Sequence, residues 1–321
     1  MRVGLGLMNA GDTSSYSRIS QIAQQAEALG YDSLWVTERE PLPLASQGQC
    51  PVFNGEVVVS RKGIDCTLDA LAIAAINTDW IKLGINLPNI PFYSPIDVGQ
   101  SLVALDRLSD GRVQVGLGLG WSSTEFQSVS SALARPETPA SEFVRALQAV
   151  WDGSEARFSG AHYVLPRSMQ VVTPVQRSHP EIVLTAFAPA AVQQPSLLLR
   201  GGSPLCAALS SEEMAEALFE VAPVGGRASG GFDLAVRAVV RLTEGPIGES
   251  RAMFAGSLEQ IRDDVAFVYS VGATELHFDL SQMPATQSGL PHRDILSQLR
   301  DTVPSGGGSV STAIARQPLA A

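Results

Sequence analysis

Segments with the composition of buried strands alternate along this chain with segments of helical spacing. Residues 2–8 are apolar enough for a buried strand, and residues 15–29 repeat apolar side chains at helical spacing before Gly30. The same order returns near the other end, where a helical segment from Ser257 to Gly272 precedes an apolar stretch. Alternation of this kind predicts a parallel α/β sheet with covering helices.

Eight segments are expected to be strands. They are residues 2–8, 32–37, 81–87, 112–118, 181–186, 204–209, 234–241 and 274–280. Eight strands with intervening helices predict a closed (β/α)8 TIM barrel of the α/β class, and a doubly wound open sheet is the alternative. The long segments 38–66 and 120–180 are then insertions after the second and fourth strands, at the end of a barrel where active sites form.

Length and tail composition set the expected domain organisation. A chain of 321 residues is long enough for one large barrel or for two smaller domains. Because the strands and helices alternate throughout, we expect a single barrel domain over residues 1–303. The glycine- and serine-rich residues 304–321 are expected to form a disordered tail.

Charge and cysteine content exclude several function classes. The net charge is −10 and lysine and arginine do not cluster, which argues against a nucleic-acid partner. The three cysteines, Cys50, Cys66 and Cys206, lack the spacing of a metal clamp, and the four histidines are isolated, so no metal site is expected. The odd cysteine count and the lack of an apolar run of about 18 residues favour a cytoplasmic protein without a membrane span.

Two groups at the expected strand ends could carry chemistry. Glu38 and Arg39 follow the second strand, where they form either an active-site cluster or an internal salt-bridge group. The GxGxG run of residues 116–120 ends the fourth strand and precedes Trp121. Glycines there either admit a planar ligand or relieve crowding at the barrel mouth. These residues alone indicate a barrel with an open site at its strand ends.

Three stretches resemble the luciferase-like flavin-dependent oxidoreductases, a family that includes bacterial luciferase and enzymes of the deazaflavin coenzyme F420. The first is the helix of residues 15–29 with GYDSLWVTERE after it, and the second is TDWIKLGINLPNIPFYSP at residues 78–95. The third, ALDRLSDGRVQVGLGLGWSSTEF at residues 104–126, is the most specific. The resemblance covers roughly residues 1–185 and 232–285.

The resemblance implies a flavin- or deazaflavin-dependent oxidoreductase or monooxygenase that acts on a small organic substrate. In the family the cofactor ring lies across the strand ends, on a bulge after the third strand that often contains a non-proline cis peptide. That position falls on Asn86 and Leu87 here. The resemblance also implies a homodimer that pairs through barrel helices.

Four further positions fall where the family lines the ring and the cofactor tail: Gly118, Gly120, Trp121 and Thr124. The motifs fit both FMN and coenzyme F420. The stretch GINLPNIPFYSP resembles the loop of the deazaflavin members, which favours F420.

The chain departs from the family at two places. The family commonly has an acid followed by a catalytic histidine after the second strand, whereas this chain has Glu38 and Arg39. An arginine keeps its proton near neutral pH, so it can stabilise an anionic ring or an oxyanion but cannot relay protons. Residues 185–189 replace a glycine-rich phosphate loop. A non-catalytic flavin-binding barrel that has lost the histidine is therefore the alternative function.

The Arg39 hypothesis predicts how one substitution separates activity from stability. Arg39→Ala should lower turnover far more than the melting temperature, because a charge at a strand end contributes little to the core. Measuring both quantities on the same preparation tests this. A proportionate loss of rate and melting temperature would instead assign Arg39 to a structural salt bridge.

Overall fold

The protein folds into a closed barrel of parallel strands. The structure is a computed structural model that describes residues 1–7, 16–37, 67–87, 90, 93–118, 140–152, 155–169, 173–177, 179–186, 205–208, 234–248, 251–270, 272–280 and 293–304. The strands are β1 (Arg2–Gly6), β2 (Ser33–Thr37), β3 (Lys82–Leu87), β4 (Val113–Gly118), β5 (Glu155–Ser159), β6 (Val164–Met169), β7 (Glu181–Ala186), β8 (Leu205–Ala208), β9 (Leu234–Val239), β10 (Arg241–Leu242), β11 (Ala255–Gly256) and β12 (Glu275–Asp279). The described helices are α1 (Tyr16–Ala28), α2 (Thr67–Ile76), α3 (Pro95–Leu108), α4 (Ala140–Trp151), α5 (Leu258–Ser270) and α6 (Arg293–Thr302).

The order around the barrel is β1, β2, β3, β4, β7, β8, β9 and β12, and β12 pairs again with β1. Every neighbouring pair is parallel. The predicted barrel is therefore confirmed with all eight strands, and the open-sheet alternative is wrong because β1 is hydrogen-bonded on both edges. The insertion after β4 contains α4 and the antiparallel hairpin of β5 and β6.

Side chains alternate between two environments along each barrel strand. Residues such as Leu34, Ile85 and Phe278 belong to the main hydrophobic core, which lies between the strands and the helices. Their neighbours in the chain face the barrel interior, which we call the lumen, and many of those are polar or glycine. The core cluster extends from Val3 to Val303. The predicted insertion 38–66 and the residues 305–321 of the predicted tail lie outside the described residues.

Helix ends follow the capping signals in the sequence. Ser94 caps α3 and accepts a hydrogen bond from the Asp97 amide. Ser257 and Gln260 form a capping box at α5, because each side chain accepts from the other residue's backbone N–H, at 3.4 and 3.1 Å. Gly30, after α1, has a φ of +78°, a conformation that favours glycine.

Arg112 fastens the N-terminal side of the barrel. Its guanidinium is buried and donates to the carbonyl oxygens of Ala75, Thr78, Ile81 and Ser109, and to the Thr78 hydroxyl, at 2.7 to 3.0 Å. These acceptors include carbonyls at the end of α2 and in the turn after α3, which have no partner within a helix. The arginine of the LS-x-GR segment therefore has a structural role.

Asp106 anchors the segment that leads into β7. Its carboxylate accepts from the backbone N–H groups of Val175 and Gln176, at 2.7 and 3.2 Å, and from the Gln176 side chain at 2.7 Å. The Gln176 amide also donates to the Val113 carbonyl at 2.8 Å. Asp106 thus holds Gln176 in place, and Gln176 connects the end of the insertion to the start of β4.

Arg112 generates the first stability prediction from the structure. Arg112→Ala leaves several buried carbonyls without a donor, and we expect it to lower the free energy of unfolding by about 3 kcal/mol or more. Urea unfolding followed by circular dichroism measures the change. Arg107→Ala, an exposed arginine in the last turn of α3, is the matched control and should change stability by less than about 0.5 kcal/mol. Equal losses in the two variants would contradict the anchoring role.

Candidate functional site

Five neighbouring strands present small or polar residues to the lumen at their C-terminal ends. These residues are Asp279 on β12, Gly6 on β1, Thr37 on β2, Asn86 on β3 and Gly118 on β4, and we call them the C-terminal rim. Because none of these five adjacent strand ends carries a bulky apolar side chain, this part of the barrel mouth leaves room for a ligand. Active sites of parallel barrels form at this end.

Asn86 is the rim residue with an unmet hydrogen-bonding requirement. It lies beside Thr37 and Gly116 in the sheet and is 6% exposed. Its Oδ1 atom is buried and has no hydrogen-bond partner in the part of the chain that the structure describes. A buried acceptor without a donor is costly, so this carboxamide is suited to receive an N–H group from a ligand.

The region of Asn86 and Leu87 differs from the expected bulge. Regular parallel pairing continues through Leu87, which lies opposite Leu117, and the described peptide bonds are all trans. Up to Leu87 the expected bulge and cis peptide are therefore not found, and residues 88 and 89, which follow, lie outside the described residues. The ladders of β2 and β4 hold β3 on both edges. Leu87 belongs to the main core and is 1% exposed, so only its backbone can contact a ligand in the lumen.

An ion pair lines the lumen beside the rim. Arg237 on β9 donates from Nε to Asp279 Oδ2 at 2.9 Å, and its Nη2 contacts the same oxygen. About a tenth of each side chain is exposed. A largely buried ion pair contributes little net stability, because desolvation offsets the attraction between the charges. Its position at the ligand end of the barrel makes it a candidate polar contact for substrate.

Trp35 lies across the lumen below the rim. Its indole covers Gly84, where any Cβ would overlap the ring, and stacks on the His277 imidazole with centroids 4.7 Å apart at 26°. The indole Nε1 donates to the Ser33 hydroxyl at 3.0 Å. The ring is therefore fixed by packing on both sides and by one directional hydrogen bond.

Glu275 organises the polar groups beneath Trp35. It accepts from the Ser33 hydroxyl at 2.9 Å and forms an ion pair with Arg2 at 3.0 Å. Its Oε1 also lies 2.8 Å from His277 Nε2. Burial raises the pKa of Glu275, but the charge and hydrogen bond of His277, the charge of Arg2 and the Ser33 hydrogen bond outweigh it and lower this pKa to about 2.

Of the residues singled out in the sequence, the structure brings Asn86 and Gly118 to the rim on adjacent strands. Two groups lie outside the described residues: Glu38 and Arg39 after β2, and Gly120, Trp121 and Thr124 after β4. Gly118 is the last residue of β4.

Sequence reasoning missed four of the residues that fill the lumen: Trp35, Arg237, Glu275 and Asp279. The signal was present, because Glu275, His277 and Asp279 occupy alternate positions of an otherwise apolar strand. Alternation of polar residues in a strand that is buried throughout indicates a polar lumen rather than a solvent face.

In the described part of the chain, no group of three or more His, Cys, Asp or Glu side chains could hold a metal ion. Among the helices of that same part, none is long and apolar enough to cross a membrane.

Comparison with known sequences gives two findings. The family model described as luciferase-like monooxygenase matches residues 1–247. An uncharacterised protein of Mycobacterium tuberculosis is 30% identical over 164 residues, which are 50% of this chain and 58% of the relative. The match therefore spans less than two thirds of that relative's length.

Two solved structures share the fold at low sequence identity. The coenzyme F420-dependent tetrahydromethanopterin reductase of Methanopyrus kandleri has a TM-score of 0.69 at 14% identity, with 94% of this chain and 98% of that chain covered. The oxygenating constituent of 3,6-diketocamphane monooxygenase from Pseudomonas putida, in complex with FMN, has a TM-score of 0.68 at 15% identity, with 94% and 97% covered.

The low pKa of Glu275 predicts a pH dependence of stability. The folded-state pKa of about 2 lies below the unfolded value of about 4.3, so Glu275 stabilises the fold above pH ~4.3 and loses that contribution as pH falls toward 2. This amounts to about 3 kcal/mol at neutral pH. Urea unfolding at several pH values between 7 and 2.5 tests this. As the pH falls, the free energy of unfolding should decrease less steeply for Glu275→Gln than for the wild type.

Glu244→Gln, at an exposed glutamate, is the matched control and should retain the wild-type slope. Parallel curves for Glu275→Gln and the wild type would show that Glu275 is not the group that controls acid sensitivity.

Proposed function

The chain belongs to the luciferase-like monooxygenase family, and from this membership we propose that it is a flavin- or deazaflavin-dependent oxidoreductase acting on a small organic substrate. The observation that carries the proposal is the C-terminal rim, whose small and polar residues surround Asn86, a residue whose buried Oδ1 has no partner among the described residues. The family's match includes four of the five strands that form this rim.

The residues present fit such a cofactor. Asn86 Oδ1 would accept a hydrogen bond from a ring N–H group, and Gly118 leaves its strand end without a side chain, so that a planar ring can approach. The Leu87 backbone, Gly120, Trp121 and Thr124 complete the proposed binding set. The bound cofactor would supply hydride transfer or oxygen activation.

Glu38 and Arg39 are the charged residues proposed for the chemistry itself. Both follow β2, whose last residue, Thr37, is part of the rim. The Arg39 guanidinium stays protonated at neutral pH, so it would stabilise negative charge on a reduced ring or an oxyanion without passing on a proton.

FMN and coenzyme F420 both suit this site. The structurally similar proteins include an F420-dependent reductase and a monooxygenase in complex with FMN. We favour F420 because the loop after Gly84 resembles that of the deazaflavin members.

The proposal extends to assembly and location. A homodimer through barrel helices is supported by Ile76 on α2 and Leu108 on α3, which are 68% and 50% exposed. The core that continues to Val303 supports one domain over residues 1–303. A small-molecule substrate, no nucleic-acid partner and a cytoplasmic location complete the proposal.

A cofactor titration tests the function, and Asn86 tests the site. FMN and coenzyme F420 are each titrated against the purified protein and followed by fluorescence quenching. We expect micromolar binding of one of them. Asn86→Ala should weaken that binding about tenfold, because it removes one hydrogen bond to the ring, and should leave the melting temperature nearly unchanged.

Asn77→Ala is the matched control. Asn77 lies at the opposite end of the barrel, after α2, and its side chain donates to the Ile73 carbonyl at 2.8 Å. That variant should bind the cofactor as the wild type does. If the wild type binds neither cofactor, the oxidoreductase proposal fails and a non-catalytic barrel replaces it; wild-type affinity in Asn86→Ala removes only Asn86 from the site.

A further inference from the structure

We propose that Trp35 is a specificity-determining residue whose indole forms the floor of the ligand site and limits how deeply an apolar group can enter the lumen. The inference rests on the proposed function in that it places the ligand at the C-terminal rim. It goes further by assigning the depth of the site, and the chemistry of its deepest point, to a single side chain.

The indole reaches from one side of the barrel to the other. Trp35 on β2 clusters with Val183 on β7 and Ala235 on β9, apart from the main core. Around the barrel, β7 and β9 each lie three strands away from β2, in opposite directions. A side chain that packs in this cluster must extend across the lumen, and it therefore occupies the lumen at this level.

The surrounding residues make room for the indole and for the imidazole that supports it. A Cβ at Gly84 would overlap the Trp35 ring, and a Cβ at Gly4 would lie 2.5 Å from His277 Cδ2 and 2.6 Å from the Ser33 hydroxyl. Glycine is thus required on two neighbouring sides of the stacked pair. Trp35 cannot tilt into these walls, because both are already in contact with the stack.

Polar contacts hold the floor at a fixed height. The Ser33 hydroxyl accepts from the indole N–H and donates to Glu275, which also contacts the Nε2 of His277 beneath the indole. This arrangement connects the position of the indole to a carboxylate that is buried on β12. The floor is therefore more rigid than an aliphatic side chain of similar size would be.

The floor and the walls above it define the class of group that fits. An indole face is apolar, so the deepest part of a ligand must be apolar and of limited length. The Arg237–Asp279 pair stands higher on one wall and can meet a polar substituent. Gly118, on β4 across the barrel from β12, permits close approach of a flat group, and Gly6 leaves the position beside Asp279 without a side chain. The site therefore suits a small ligand with a short or planar apolar end.

The test uses two apolar probes of different size, indole and the larger 2-naphthol, measured by thermal shift and calorimetry. Trp35→Gly should gain at least about tenfold affinity for both probes over the wild type, because the vacated space is continuous with the lumen. Trp35→Phe keeps an aromatic floor and is expected to fold. Its gain in affinity for indole should be smaller than that of Trp35→Gly. Binding of the two probes is independent of any cofactor.

Trp151→Gly is the matched control. Trp151 on α4 is 2% exposed and donates to the Gly99 carbonyl at 3.1 Å, and its removal leaves a closed cavity in the main core. We expect this variant to gain affinity for indole alone. The proposal would be overturned if neither Trp35 variant gained affinity for either probe. It would also be overturned if Trp35→Gly and Trp151→Gly gained equal affinity for 2-naphthol.

Cofactor titrations on the same variants separate this inference from the proposed function. If the wild type binds FMN or F420, Trp35→Gly should lose about tenfold in affinity and indole should restore it, whereas Trp151→Gly should bind as the wild type does. If the wild type binds neither cofactor, the function proposal fails, and the probe affinities still decide whether Trp35 is the floor.

Discussion

The stack of Trp35 on His277 is the contact on which the interior of this barrel depends. A closed ring of eight strands encloses a space that only side chains can fill, and the filling must not exceed the space available. Here one indole crosses the lumen, and glycines on neighbouring strands leave room for it. Glu275 holds the stack in place from below. The indole thus separates the hydrogen-bonded polar groups in the lower part of the lumen from the C-terminal rim, where ligands can bind.

Much of the fold could be predicted because its signals are local. The outward residues of the strands form apolar patterns, and helix ends carry serine caps and glycine stops within a few residues of each boundary. The lumen could not be predicted in this way, because Ser33 and Glu275 hydrogen-bond across 242 positions of sequence. Only closure of β12 against β1 brings such residues together.

The candidate site was predictable in part. Asn86 and Gly118 were indicated by motif and lie together at the rim, whereas the trans peptide and regular pairing at Asn86 and Leu87 could not be anticipated from it. The most specific motif also combines two roles. Asp106 and Arg112 within it anchor backbone segments on the N-terminal side of the barrel, and Gly118 ends a strand on the opposite side. Similarity in that motif is therefore evidence for the barrel fold as much as for a cofactor site.

The pairing of β1 with β12 has a consequence for biosynthesis. β1 leaves the ribosome about 270 residues before the strand that covers one of its edges, residues 275–279. Until those residues emerge, a nascent chain that has already paired β1 with β2 still presents an open strand edge. During translation that edge stays open to pairing with other strands, and the ring can close only after residues 275–279 have emerged.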